Sequence, residues 1–159
     1  MRCLLSGLSV IVVGVFLLSG CGDVFPPSPK TVCITGYNQY ERQFHKFRLD
    51  EENRSGCGGN PSGRDGRGIY GGGGGFVCGC RVIPGKEVSL YWVFAQNKAE
   101  YVAKIPEVRH DVRVVIPQPE SSSSRYLRIF FMKSGVPQLQ WVDDLRTPEI
   151  MPPLEEDIK

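Results

Sequence analysis

Val88, Leu90, Trp92 and Phe94 recur at every second position, the period of a strand with one buried face. Other short runs behave alike. Val32 and Ile34 alternate in a first strand ending near Tyr37. Phe47 and Leu49 share a face in a second, with His45 in Phe47's phase and Phe44 on the opposite side. Phe76, Cys78, Cys80 and Val82 read as one face of a strand, joined to the Val88 run by a turn at Pro84-Gly85-Lys86. Tyr101, Ala103 and Ile105 read as a strand ended by Pro106, and Val112, Val114 and Ile116 as another ended by Pro117. Tyr126 to Met132 and Leu139 to Val142 complete the series around a turn at Ser134-Gly135. No stretch keeps a helical period. The expectation is an all-β fold, an antiparallel sandwich or partly closed barrel of about 7–9 strands. Residues 51–75 interrupt it as a long glycine-rich loop, within which Ile69 and Tyr70 read as a brief strand. A loop of that length in a compact domain calls for a function or a staple, and Cys57 is placed to be the staple.

The N-terminus is of another kind. Arg2 precedes an apolar run from Leu4 to Leu18 that closes in Leu17-Leu18-Ser19-Gly20-Cys21. The run is shorter than the ~20 residues needed to cross a bilayer, and it ends in small residues. It resembles a bacterial lipoprotein signal with its lipobox. That resemblance implies cleavage before Cys21, a covalent lipid on Cys21, and anchoring on the periplasmic side of the cell envelope. Gly22 rather than Asp follows the cysteine, which favours the outer membrane over the inner.

The expected organisation is a signal peptide over 1–20, then the lipidated cysteine and a Pro-rich tether over 21–30. A β-rich domain over 31–146 and a Pro/acidic tail over 147–159 follow. Pro26, Pro27 and Pro29 make the tether stiff and extended. Cys33, Cys57, Cys78 and Cys80 stay in the mature chain, and in an oxidising compartment they are disulfide candidates with three possible connectivities.

Several chemistries fit poorly. A phosphate loop needs a helix and a lysine after its glycines, whereas Gly71 to Gly75 lead into Phe76-Val77-Cys78, a strand; no nucleotide is expected. No basic stripe remains in the mature chain to indicate nucleic acid. His45 and His110 are the only histidines and there is no CxxC pair, so no metal is expected, and no cofactor beyond the lipid on Cys21. Cys78-Gly79-Cys80 in a regular strand would hold its thiols at the edge of disulfide reach with parallel Cβ directions, so a bond between them needs a bulge, which Gly79 permits. No G-x-S-x-G occurs. Glu41, His45 and Asp111 are the residues that would have to meet in a hydrolytic site, and spacing alone does not bring them together. The chain is read as no enzyme.

Tyrosines at strand ends and loops (Tyr37, Tyr40, Tyr70), Tyr91 and Val93 on the face opposite Trp92, and Arg42, Arg64 and Arg67 are the residue types of protein interfaces. The candidate partner-binding residues are Arg64, Arg67 and Tyr70, with the Tyr91/Val93 face next.

Ile34-Thr35-Gly36-Tyr37-Asn38, Asn60, Gly71 to Gly75 before Cys78 and Cys80, and the Pro84-Gly85-Lys86 turn leading to Trp92 carry one more resemblance. Over roughly residues 31–145 the chain is similar to a family of short proteobacterial lipoproteins of unknown function. It departs from them in placing Gly79 between the two cysteines and in the arginine-rich segment Arg64 to Arg67. Members often neighbour type VI secretion lipase effectors, so the resemblance implies a periplasmic immunity protein whose partner is such an effector. The alternative is a structural or envelope-maintenance lipoprotein.

Overall fold

The computed structural model describes residues 28–53, 56–72 and 75–151. The lipobox, Cys21 and most of the tether lie outside them. Eight strands form two four-stranded sheets packed face to face, an all-β sandwich. One sheet holds β4 (Val77–Val82), β1 (Lys30–Asn38), β7 (Tyr126–Phe131) and β8 (Gln138–Val142) in that order. The other holds β3 (Cys57–Gly59), β2 (Phe44–Leu49), β5 (Glu87–Phe94) and β6 (Arg109–Val115). Neither sheet closes into a barrel. The β1–β7 pair is parallel, so the first sheet is mixed rather than purely antiparallel.

The core lies between the sheets. Val88, Leu90 and Trp92 of β5 are buried there, as the alternation predicts, with Phe44, Phe47, Ile34, Leu127, Ile129, Phe131 and Trp141. Burying such side chains contributes about 1.5–3 kcal/mol each. The indole Nε1 of Trp141 donates to Pro117 O at 2.7 Å, so its one polar atom is satisfied.

Two bulges alter the expected faces. Between Phe44 and Lys46 the β2–β5 register slips by one residue. Phe44 and Phe47 therefore both enter the core, and His45 is exposed rather than sharing Phe47's burial. Between Val32 and Cys33 the β1–β4 register slips opposite Gly79, which sits at φ +85°. Only glycine adopts that conformation cheaply. Cys80 and Val82 consequently face the core while Cys78 faces solvent, against the expectation of one shared face. Cys78 is disulfide-bonded to its register neighbour Cys33.

Residues 97–105 form no strand. They hold a short helix, α1 (Lys98–Val102), closed at both ends. Asn97 and Glu100 make a reciprocal capping box at 2.9 Å each. At the other end Lys104 N–H donates to Tyr101 O and Ile105 N–H to Glu100 O, the Schellman pattern. Ile69 and Tyr70 form no strand either. The glycine-rich segment contributes β3 instead, and among the described residues it makes an isolated bridge from Gly71 to Asn38.

The outer face of the β1–β7 sheet is covered as well. Tyr70, Phe130 and Met132 are buried there, with Tyr37, Ile69 and Ile150 against them. Arg128, 1 % exposed, reaches from β7 to the carbonyls of Leu145 and Thr147 (2.7 Å to the latter) and so straps the chain after β8 across this face. That is why β7 is buried on both sides and shows no alternation.

Candidate partner-binding site

Strand directions sort the connections. β1 enters at Lys30 and ends at Asn38; β2 starts beside that end, and the antiparallel β5 finishes there. The links 39–43, 95–108 and 132–137 and the glycine-rich segment after β3 therefore gather at the end of the sandwich remote from Lys30.

Asn38 organises this end. Its Nδ2 donates to Arg42 O at 2.8 Å and Ser62 O at 3.1 Å, and its Oδ1 accepts from Tyr40 N–H at 2.9 Å. Phe44 N–H donates to Pro61 O and Arg64 N–H to Tyr40 O, seating the glycine-rich segment on the β1–β2 link. A side chain at Gly63 would meet Glu41 O at 2.1 Å, and one at Gly71 would meet Ser62 O at 2.2 Å, so these contacts require glycine. Glu41 pairs with Lys133 at 2.6 Å and Arg64 at 3.3 Å, and these partners hold its carboxyl below the usual range, the Lys133 bond foremost. Arg42 pairs with Glu100 and donates to Ala95 O at 2.9 Å, fixing α1 to the same link.

The sequence candidates separate here. Arg67 is exposed, and its guanidinium turns back onto Asp65 at 2.8 Å. Arg64 is half-buried in the Glu41 cluster. Tyr70 is 8 % exposed, packs on Phe130 and donates its hydroxyl to Ile150 O at 2.7 Å; burial pushes its phenol up to about 12. Tyr70 is part of the small core over the β1–β7 sheet, not of an accessible surface.

The Tyr91/Val93 face is also covered. The register sets Tyr91 between Arg48 and Asp111, and Val93 between Lys46 and Arg109. The Arg109 guanidinium lies 3.6 Å from the Tyr91 ring centroid, a close cation–π contact. Tyr91's hydroxyl donates to Glu51 at 3.0 Å. Both residues are buried under these charged chains.

Glu41, His45 and Asp111 do not converge. Glu41 holds Lys133 and Arg64, His45 lies 3.5 Å from Glu107, and Asp111 pairs with Arg109. Among the described residues no group of three or more His, Cys, Asp or Glu can hold a metal ion.

The remote end exposes apolar side chains on two links: Val136 (67 %) after β7, and a longer set on the β5–β6 link. Tyr101 (73 %), Val102 (70 %), Ile105 and Val108 stand open to solvent, and α1 buries none of its residues. Lys98 and Lys104 flank them. Lys104 has φ +52°, the left-handed position after the helix where glycine is unstrained and another residue costs about 1 kcal/mol. In sequence Lys104 stands between Val102 and Ile105. A side chain-lined hollow of about 490 Å³ runs beside this patch, bounded by His45, Tyr101 and Glu107. The alternation of Tyr101, Ala103 and Ile105 reads as a strand, whereas the Asn97-x-x-Glu100 pair is the sequence sign of a helix start.

Comparison with protein-family models, with curated proteins and with solved structures finds no match.

Proposed function

We propose that the mature chain is a protein-binding module, held by the lipid on Cys21 at the periplasmic side of the envelope, in the outer membrane. Its partner is a lipase effector of a type VI secretion system, which it neutralises. The observation carrying this reading is the run of exposed apolar side chains Tyr101, Val102, Ile105 and Val108 on one link, interspersed with Lys98, Lys104, Glu100 and Glu107. Isolated exposed hydrophobes need no explanation; four on one short link, next to a helix capped at both ends, support reading it as an interaction surface. The patch sits at the end opposite Lys30, where the tether enters, so an anchored molecule presents it away from its own membrane. Anchoring raises the local concentration of the binder where a lipase acts.

The test is titration of the full-length protein, in detergent, into a purified type VI secretion lipase effector, followed by heat of binding and by phospholipid hydrolysis. Saturable binding and loss of hydrolysis are expected. Val102→Asp with Ile105→Asp should weaken binding about 100-fold, the scale of an interface hot spot, and leave the thermal midpoint nearly unchanged. No binding, or equal binding by the variant, overturns the reading. An envelope-maintenance role is separated by deletion: it predicts a growth defect without any rival cell, whereas the immunity role predicts one only against toxin-bearing kin.

A further inference from the structure

Cys57 and Cys80 belong to opposite sheets. Cys57 opens β3, hydrogen-bonded to β2, and Cys80 lies in β4, hydrogen-bonded to β1. The two strands pack on each other through the core, and each cysteine is 1 % exposed. Both belong to the same buried cluster, and their side chains are in hydrogen-bond contact. The bulge at Gly79 makes this meeting possible: it turns Cys78 outward to Cys33 and leaves Cys80 inward to Cys57. From this geometry we infer that Cys57 and Cys80 are the seat of a second disulfide, one that joins the two sheets to each other, in contrast to Cys33–Cys78, which joins neighbours within a sheet.

The chemistry is thiol–disulfide exchange with an external disulfide, a protein dithiol oxidant or glutathione disulfide. One protein thiolate attacks the oxidant's S–S bond, forming a mixed disulfide and releasing one oxidant thiol. The second protein thiolate attacks the protein sulfur of that mixed disulfide and expels the other oxidant thiol. Two electrons and two protons pass from Cys57 and Cys80 to the oxidant, which leaves as thiols. The contact with Cys57, then burial, pushes the Cys80 thiol up, so in the closed sandwich it is a poor nucleophile. The bond therefore forms while the chain is still open, and the closed core then shields it from reductant. With both bonds made, a covalent path runs from β1 through β4 to β3. It fixes both ends of the segment that carries Arg64 and Arg67, independently of any partner.

The test uses the full-length chain in detergent, reduced and unfolded, then refolded in a glutathione redox buffer. Remaining thiols are blocked in denaturant and the linked peptides mapped by mass spectrometry. The expected result is that Cys33, Cys57, Cys78 and Cys80 all resist alkylation until reduced. Cys78 and Cys80 lie too close in sequence for a single digest to assign, so Cys33→Ser with Cys78→Ser is mapped in parallel; it should still link Cys57 to Cys80. Alkylated Cys57 and Cys80 in the refolded wild type, or linkage of Cys57 to Cys33 or Cys78, overturns the inference. The same map on protein taken from cell envelopes separates this from the localisation reading. Four thiols at Cys33, Cys57, Cys78 and Cys80 there, with both bonds present after refolding, would uphold the bond and count against export to an oxidising compartment.

Discussion

Asn38→Ala should cost about 3 kcal/mol of folding stability. Asn38 is 0 % exposed and its side chain serves three backbone groups: Arg42 O, Ser62 O and Tyr40 N–H. A buried polar group left unsatisfied costs ~1–3 kcal/mol. Arg42 and Ser62 are themselves exposed residues, so water can reach their carbonyls after small shifts and the low end of that range applies to each bond. At ~1 kcal/mol for each lost bond the sum is about 3 kcal/mol. In urea, where a domain of this size has a slope of roughly 1–3 kcal/mol per molar, the midpoint falls by ~1–3 M with the slope preserved. Asn38→Asp should fare no better, because it keeps one acceptor, loses both donors and buries a carboxylate against two carbonyls. A loss below about 1 kcal/mol in Asn38→Ala would refute the reasoning, since it would mean that the links at the remote end do not depend on this side chain.

Three further outcomes follow from other parts of the fold. Replacing Cys33 and Cys78 by Ser together removes a cross-link spanning 45 residues, and the chain-entropy relation gives a loss of about 4 kcal/mol, measurable by urea unfolding without reductant. Burial first, and the Glu149 carboxylate second, push the Tyr70 phenol up to about 12 from the ordinary tyrosine value of about 10. Its contribution is thus fully present below pH ~10 and is lost as pH rises through about 12; Tyr70→Phe should flatten the fall in thermal midpoint over that window. Lys104→Gly relieves the left-handed strain and should raise stability by up to about 1 kcal/mol in thermal unfolding, while binding to the proposed lipase partner should weaken through loss of the ammonium.

Where the backbone is regular the sequence was legible. Val88, Leu90 and Trp92 face the core together, and Val114 and Ile116 follow their alternation. Reading failed where one residue is inserted. A bulge moves every later side chain to the other face, and nothing in Phe44-His45-Lys46 marks it. At Cys78-Gly79-Cys80 the glycine did announce the possibility of a bulge, but only pairing with β1 decides which thiol turns outward. Tyr91 and Val93 read as exposed because alternation takes no account of what lies on top; Arg109 and Lys46 reach over them from the neighbouring strands. Tyr70 was misplaced for a related reason. The strap that buries it is held by Arg128, and a fully buried arginine paired with carbonyls has no pattern in sequence.

The residues that looked most like a functional signature turn out to position the end that carries the candidate surface. Gly36 leaves room for the Phe47 ring, which a Cβ there would approach to 2.7 Å. Tyr37 stacks on Phe130 at 4.8 Å and lies under the Arg128 guanidinium, Asn38 ties three links together, and Gly71 passes too close to Ser62 O for any side chain. Each has a packing or hydrogen-bonding reason to be what it is, and none points a reactive group outward. The exposed link from Lys98 to Val108 carries the opposite character: none of the α1 side chains is buried, and its shape comes from its own caps and from Arg42. Scaffold and candidate recognition surface are therefore separable in this fold. Changing Tyr101, Val102, Ile105 or Val108 removes no core contact, whereas changing Gly36, Asn38 or Gly71 disturbs the base on which they stand. The link can change its sequence while the sandwich stays as it is.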